Sequence, residues 1–408
     1  GSEPMNNEVL LPAVLGITFG LLLVAVAAYR SVNDPRDGAR RRAAAAALLL
    51  YAVLAVPFFA RGGMTLLWLL VLLVVVVLTF VAASLSARRD VALTAGQRMV
   101  SAAVGIALAA LLLISAAQTI SLLTRVDPRT LVVVLAVVTG LVAALQGLAA
   151  AGRLGSTAIW LLLFPIVVSL ALGFFLGGFG EVVSPIVPVD GPSVMVIVGL
   201  ACALFVIAWA DPGLGALSRP FAGQRRSVTV ILVAALGVVV LIGLGQLMFL
   251  GGSVLAPSMQ FFVVPSNLDI VPALIAVVLT VLTMVFAALV TIPLAGVAAL
   301  ADEGKAAKWV LAATVIAALL ALADPGAERI IIAASLIGAA YLGAQLSASR
   351  TDRGLWAGVA AAVVGTALLA VLGQLEFGVV SILVLAAVAA VAAVVARADE
   401  GSEVTASA

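Results

Sequence analysis

The sequence predicts an all-α polytopic membrane protein of about thirteen transmembrane helices, with the N-terminus outside and the C-terminus inside. Three observations carry this. Apolar residues make up 65% of the chain and charged residues 10%, against roughly 25% charged in a soluble domain, and the mean hydropathy is +1.32. The apolar residues lie in runs near the ~20 residues a span needs. The Lys and Arg residues gather in alternate connections, as the positive-inside rule requires.

The apolar segments are 9–29, 43–60, 64–86, 99–123, 130–151, 156–177, 192–210, 227–250, 270–300, 307–323, 328–347, 354–373 and 377–396. The first is an uninterrupted run ahead of Asn33-Asp34-Pro35-Arg36-Asp37-Gly38, a polar turn that stops a helix. The second is the weakest: Ala43 to Ala47 are only mildly apolar, and Pro57 lies near its end. The third to sixth are strongly apolar, with Asp127-Pro128 between the fourth and fifth. The seventh and eighth flank Asp211-Pro212-Gly213. The ninth exceeds a perpendicular span, so it is expected to tilt or to break near Thr291-Ile292-Pro293. Asp324-Pro325-Gly326 separates the tenth from the eleventh, and two further runs complete the set. With thirteen crossings, only Arg61, Arg125, Arg129 and Arg329 of the 21 Lys and Arg residues fall outside. Dropping a span scrambles that asymmetry.

The domain organisation expected is simple. Residues 1–8 form an outside tail whose Gly1-Ser2-Glu3-Pro4 reads as an expression scar, 9–397 one transmembrane domain, and 398–408 a disordered inside tail. The outside stretches Gly177–Ser193 and Gly251–Pro272, rich in Gly, Pro and Ser, are expected to hold interfacial or re-entrant elements. The Ala/Val/Leu/Gly/Arg bias suggests a GC-rich prokaryote, hence a multi-pass protein of its plasma (inner) membrane.

The absences are informative. No histidine is present and Cys202 is the single cysteine, so His-ligated metal or haem, His general-base chemistry and an internal disulfide are excluded. No P-loop, CxxC or GxSxG is found, and no basic–aromatic pattern suits nucleic acid. No cofactor or metal is expected. The partners expected are the bilayer, a small-molecule solute and, on the alternative reading below, protein subunits.

Ionisable residues inside spans are default functional candidates, and these spans hold essentially none. Glu376 comes nearest and reads better as an outside turn. The carboxylates Asp127, Glu181, Asp190, Asp269, Asp324, Glu328 and Glu376 are scattered through the outside loops. Neutral polar residues remain. Ser115, Gln118 and Thr119 form the densest cluster, and Thr280, Thr283 and Thr291 share one segment. These six are the substrate-path candidates. The plainer reading of each is an interhelical hydrogen bond, worth roughly 0.6 kcal/mol. The spacings Gly173/Gly177/Gly180, Gly237/Gly243/Gly245 and Gly338/Gly343 suit close helix packing. Phe164-Pro165 and Gly173–Gly180 are candidates for a discontinuous helix.

Two stretches resemble the sodium:solute symporters and their amino-acid-permease relatives. One is Trp209-Ala210-Asp211-Pro212-Gly213-Leu214-Gly215-Ala216-Leu217-Ser218-Arg219-Pro220-Phe221 followed by Arg225-Arg226-Ser227, similar to a Gly/Pro-rich, Arg-bearing inside loop of those families. The other is Gly296-Val297-Ala298-Ala299-Leu300-Ala301-Asp302-Glu303-Gly304 with Lys308-Trp309, similar to the inside end of a helix that helps bind sodium. With the topology, the resemblance covers about a third of the chain. It implies a LeuT-like inverted repeat and secondary transport. Sodium-coupled members carry adjacent hydroxyl residues in the helix matching the ninth segment. This chain has Phe286-Ala287-Ala288 there, with Thr283 and Thr291 to either side, which speaks against sodium coupling.

Three functional classes follow. The first is a secondary transporter or transporter-like permease for a small neutral or amphipathic solute, not an enzyme. The alternative is a non-catalytic integral subunit of a larger envelope, secretion or respiratory complex. The third is an enzyme on a lipid-linked substrate, which needs the outside carboxylates to converge.

Overall fold

The computed structural model describes residues 7–29, 36–55, 66–89, 92–177, 194–250, 272–347, 351–371 and 379–406. Every apolar segment of the sequence is helical where it is described. The helices are α1 (Asn7–Tyr29), α2 (Asp37–Ala55), α3 (Leu66–Ala87), α4 (Ala95–Thr124), α5 (Pro128–Gly177), α6 (Val194–Ala210), α7 (Pro212–Ser218), α8 (Arg225–Leu250), α9 (Pro272–Leu300), α10 (Ala306–Ala323), α11 (Ala327–Leu346), α12 (Arg353–Val371) and α13 (Val379–Ala406). A 3-10 turn, Arg219–Phe221, follows α7. Among the described residues, nine helices are long and apolar enough to cross a membrane, or ten if α6 and the segment after it, bent by 65°, count as one.

The fifth and sixth apolar segments are joined. α5 runs 50 residues and turns at Gly147, whose φ of 54° and ψ of −136° interrupt the helical backbone. Only glycine visits that region without a Cβ penalty. The chain therefore kinks within α5 without an extended loop.

α2 shows why hydropathy underrates some spans. Arg40, Arg41 and Arg42 open it, and five alanines follow. Every residue from Ala43 to Ala55 is buried. A helix walled by other helices on all sides needs small, close-packing side chains rather than lipid-soluble ones. α2 packs on α5, α8, α3 and α7.

α9 is the other central helix. It packs on α5, α1, α4 and α7, and 89% of its span is buried, against 22% for α1. α9 is continuous from Pro272 to Leu300 with Pro293 inside it, so the break expected at Thr291–Pro293 does not occur. The burial of Ala287 to Ile292 leaves no room for that turn to open. The helix also runs through Phe164-Pro165 to Gly177, so the discontinuity expected there falls at Gly147 instead. α13 continues to Ala406, beyond Arg397. The stretches 178–193 and 251–271 lie outside the described residues.

Glycine packing is selective. A Cβ at Gly338 of α11 would stand 2.8 Å from the carbonyl oxygen of Val206 in α6, and Gly343 lies against the backbone of Ala389 in α13. Gly237 faces open space. Gly16 and Gly20 of α1 seat that helix on α9: a Cβ at Gly20 would fall 2.9 Å from the Thr283 Cβ.

Candidate functional site

The polar contacts concentrate at one end of the bundle. Arg89 stacks over the Trp209 ring at 5.6 Å and its Nη1 donates to the Gln345 carbonyl at 2.6 Å. Trp209 Nε1 donates to Gln345 Oε1 at 2.8 Å, and Gln345 Nε2 donates to the Tyr341 hydroxyl at 2.8 Å. Arg98 pairs with Asp302 at 2.7 Å. Asp352 accepts from the Thr94 hydroxyl and from Gly96 N at 3.0 Å, closing the start of α4. Arg41 lies over Phe221 at 5.8 Å. These contacts gather α2, α3, α4, α6, α9, α11 and the start of α12 into one Arg-rich end, the side that the charge asymmetry assigns to the inside.

Within that end sits one buried carboxylate that reads as a loop residue in sequence. Asp211 is 4% exposed. Its Oδ1 accepts from Gly213 N at 2.8 Å and Leu214 N at 3.3 Å, which caps α7, with Pro212 in the first helical turn. Its Oδ2 accepts from the Tyr51 hydroxyl of α2 at 2.8 Å. The Asp-Pro-Gly signal marks a helix end, but Asp before Pro is equally the start of the next helix. That second meaning was available in the sequence. The Tyr51 partner, 160 residues away, was not. Asp211 thus joins α2 to the bend between α6 and α7. Gly213 and Gly296 let α7 and α9 touch backbone to backbone there: a Cβ at Gly213 would lie 2.7 Å from the Ile292 carbonyl oxygen.

The six path candidates divide. Ser115 is buried in α4 and Gln118 partly so, and both have interaction partners. Thr280 Oγ1 donates to Ala276 O at 2.8 Å and lies 3.1 Å from Gly16 O. Thr291 Oγ1 donates to Ala287 O at 2.6 Å. These hydroxyls are satisfied by helix backbone, the plain structural role. Thr119 and Thr283 differ. They are 2% and 0% exposed, and neither hydroxyl has a hydrogen-bond partner among the described residues. A buried hydroxyl left unpaired costs about 1–3 kcal/mol on protein scales, and native structures hold few such groups.

Helix geometry relates the two. A Cβ at Gly105 of α4 would stand 3.4 Å from the Pro293 carbonyl and 3.2 Å from Val297 Cγ2 of α9. α4 leaves the Arg-rich end and α9 returns to it, so the two are antiparallel. Thr119 lies fourteen residues past Gly105, and Thr283 ten to fourteen before that contact. At ~1.5 Å per residue both stand about 15–21 Å from it, at the same height to within about a turn. Gly20 of α1 brings a third helix to Thr283.

The outside carboxylates serve locally where they are described. Asp127 accepts from Thr130 N and Oγ1, both at 3.3 Å. Asp324 closes α10 in a left-handed conformation, and Glu328 lies in the first turn of α11. Glu181, Asp190, Asp269 and Glu376 lie outside the described residues. Among the described residues, no group of three or more His, Cys, Asp or Glu side chains could hold a metal ion.

No protein-family model matches the chain, and no curated protein matches it. A solved structure is similar: a Na+-coupled sialic acid symporter in its substrate-bound, outward-open state, with a TM-score of 0.64 and 12% sequence identity. The likeness covers 96% of this chain and 98% of that one. It shows the fold: this chain is a polytopic α-helical membrane protein with the fold of a secondary transporter.

Proposed function

We propose that the chain is a secondary transporter for a small neutral or amphipathic solute, in the plasma membrane of a prokaryote. The observation that carries this reading is the likeness to a solute symporter over nearly the full length of both chains. Two features agree with it. Thr119 of α4 and Thr283 of α9 are buried hydroxyls at similar heights that have no partner among the described residues, and a solute hydroxyl, amide or carbonyl would relieve their desolvation cost. The helix pair bends by 65° at Asp211, and transporters also use broken helices, although this one stands at the Arg-rich end. The reading assigns the solute-facing role to Thr119 and Thr283. Ser115, Gln118, Thr280 and Thr291 support the same two helices.

Sodium coupling is not part of the proposal. Phe286, Ala287 and Ala288 offer no side-chain oxygen. The test is uptake by the purified chain in liposomes, with and without a sodium or proton gradient. The solutes are neutral amino acids, sugars, betaines and the sialic acid of the similar symporter. The expected result is saturable uptake of one solute class. An absence of gradient-driven flux and of counterflow for every class would refute the reading.

A further inference from the structure

A cleft of about 400 Å³ opens between α1, the start of α2, α5 and α9, within the size range of small-ligand sites (about 300–1,000 Å³). It reaches along α9 to Met284, the residue after Thr283, and its lining includes no residue of the Asp211 network. Its walls are two-faced. Leu23 and Val26 of α1 and Met284 of α9 line one part, and Arg153, Ser156 and Thr157 of α5 line the other.

The cleft opens sideways. α1 is the least buried of the candidate spans, at 22%, and its Leu15, Leu22 and Val26 are exposed. On α5, Thr157 is exposed and Trp160, one turn further, is 61% exposed. In a membrane these surfaces meet lipid. The polar part lies toward the Arg-rich end, because α1 descends to Tyr29 there and α2 begins beside it at Asp37.

The polar part is charged. Arg153 shares it with the start of α2, where Arg36, Asp37, Arg40, Arg41 and Arg42 stand. Ser156 Oγ accepts from Arg42 Nε at 2.7 Å, which leaves its own O–H as a donor. Thr157 Oγ1 donates to the Arg153 carbonyl of its own helix at 2.9 Å. A guanidinium and a hydroxyl donor beneath an apolar wall complement a phosphate beneath an acyl chain.

We propose that this cleft binds an anionic phospholipid of the leaflet at the Arg-rich end. The phosphate lies against Arg153 and Ser156, with Arg42 behind, and one acyl chain runs along Leu23, Val26 and Met284. The proposal does not depend on which solute, if any, the protein moves.

The test is native mass spectrometry of the full chain in detergent, titrated with phosphatidylglycerol or phosphatidylcholine. Retention of phosphatidylglycerol at least about tenfold better than phosphatidylcholine is expected, a difference of about 1.4 kcal/mol. Arg153→Gln should bring the two lipids level. Arg129→Gln, in the first turn of α5 at the opposite end, should leave the preference intact. Val26→Ser, on the exposed side of α1, should weaken both lipids while keeping their ratio, and it guards against a fold defect in the arginine variant. Equal retention of the two lipids by the parent protein would overturn the proposal. So would an undiminished preference in Arg153→Gln, or displacement of the lipid by millimolar inorganic phosphate alone.

Discussion

Replacing Thr283 and Thr119 with valine separates a structural hydroxyl from a functional one. Valine keeps the branched shape and removes only the oxygen. Both hydroxyls are buried and without partners, so each carries a desolvation cost of about 1–3 kcal/mol that no hydrogen bond offsets. Thr283→Val is therefore expected to stabilise the protein by about 1 kcal/mol, and the double variant by about 2 kcal/mol if the sites act independently. This reverses the usual trend, in which a single substitution costs about 1 kcal/mol. Stability is measured by unfolding in mixed micelles with increasing denaturing detergent. Uptake should move the other way. A lost hydrogen bond to solute is worth about 0.5–1.5 kcal/mol, so half-saturation should rise about two- to twelvefold for each valine. A destabilisation above about 1 kcal/mol would show that the hydroxyl has a partner and that the reasoning from its burial fails. A stabilised variant with unaltered uptake would remove these threonines from the solute path.

Tyr51→Phe takes one of three donors from buried Asp211 and should cost about 1–3 kcal/mol. A double-mutant cycle with Asp211→Asn, read by the same unfolding assay, should show positive coupling, and strict additivity would deny that the pair acts as a unit. Gly147→Ala forces a Cβ into a backbone at φ 54°, ψ −136° and should cost about 1–3 kcal/mol. A neutral alanine there would mean that α5 tolerates another bend. Gly20→Leu drives a side chain into Thr283 of α9 and should cost about 1–3 kcal/mol. A cysteine pair engineered across α1 and α9 reports any displacement of α1 as a loss of cross-linking.

Much of the fold is legible because membrane spans announce themselves through composition. The apolar runs of the sequence fall on helices wherever they are described, and three of the Arg residues assigned to the inside, Arg41, Arg89 and Arg98, make contacts at one end of the bundle. What fails to show is whatever depends on contacts far along the chain. α2 looks like the poorest span because hydropathy measures affinity for lipid, and α2 meets protein. The fifth and sixth segments look separate because a charged, glycine-containing stretch usually marks a loop, whereas the helix runs on through that stretch and kinks earlier, at Gly147. The Thr291–Pro293 break is absent because tight packing holds the proline within a continuous helix. At the site, composition picks out the polar residues of α4 and α9 but not which of them lack partners. Thr280, Thr283 and Thr291 look alike in sequence, and only the helix around each shows that Thr283 alone makes no bond. Asp211 is hidden for the opposite reason. Its neighbours spell a turn, and its hydrogen-bond partner Tyr51 is distant in the chain.

The buried alanine run of α2 also bears on how the protein is made. A nascent segment enters the bilayer on its own when its side chains favour hydrocarbon. With Ala43 to Ala47 filling its first apolar turns, α2 has less such drive than its neighbours. The helices that wall it, α5, α7 and α8, are synthesised later. Insertion of α2 is thus a late, assembly-dependent event, with the ribosome already far downstream. Chains truncated after α3 should leave α2 accessible to water-soluble thiol reagents, and chains extended through α8 should protect it.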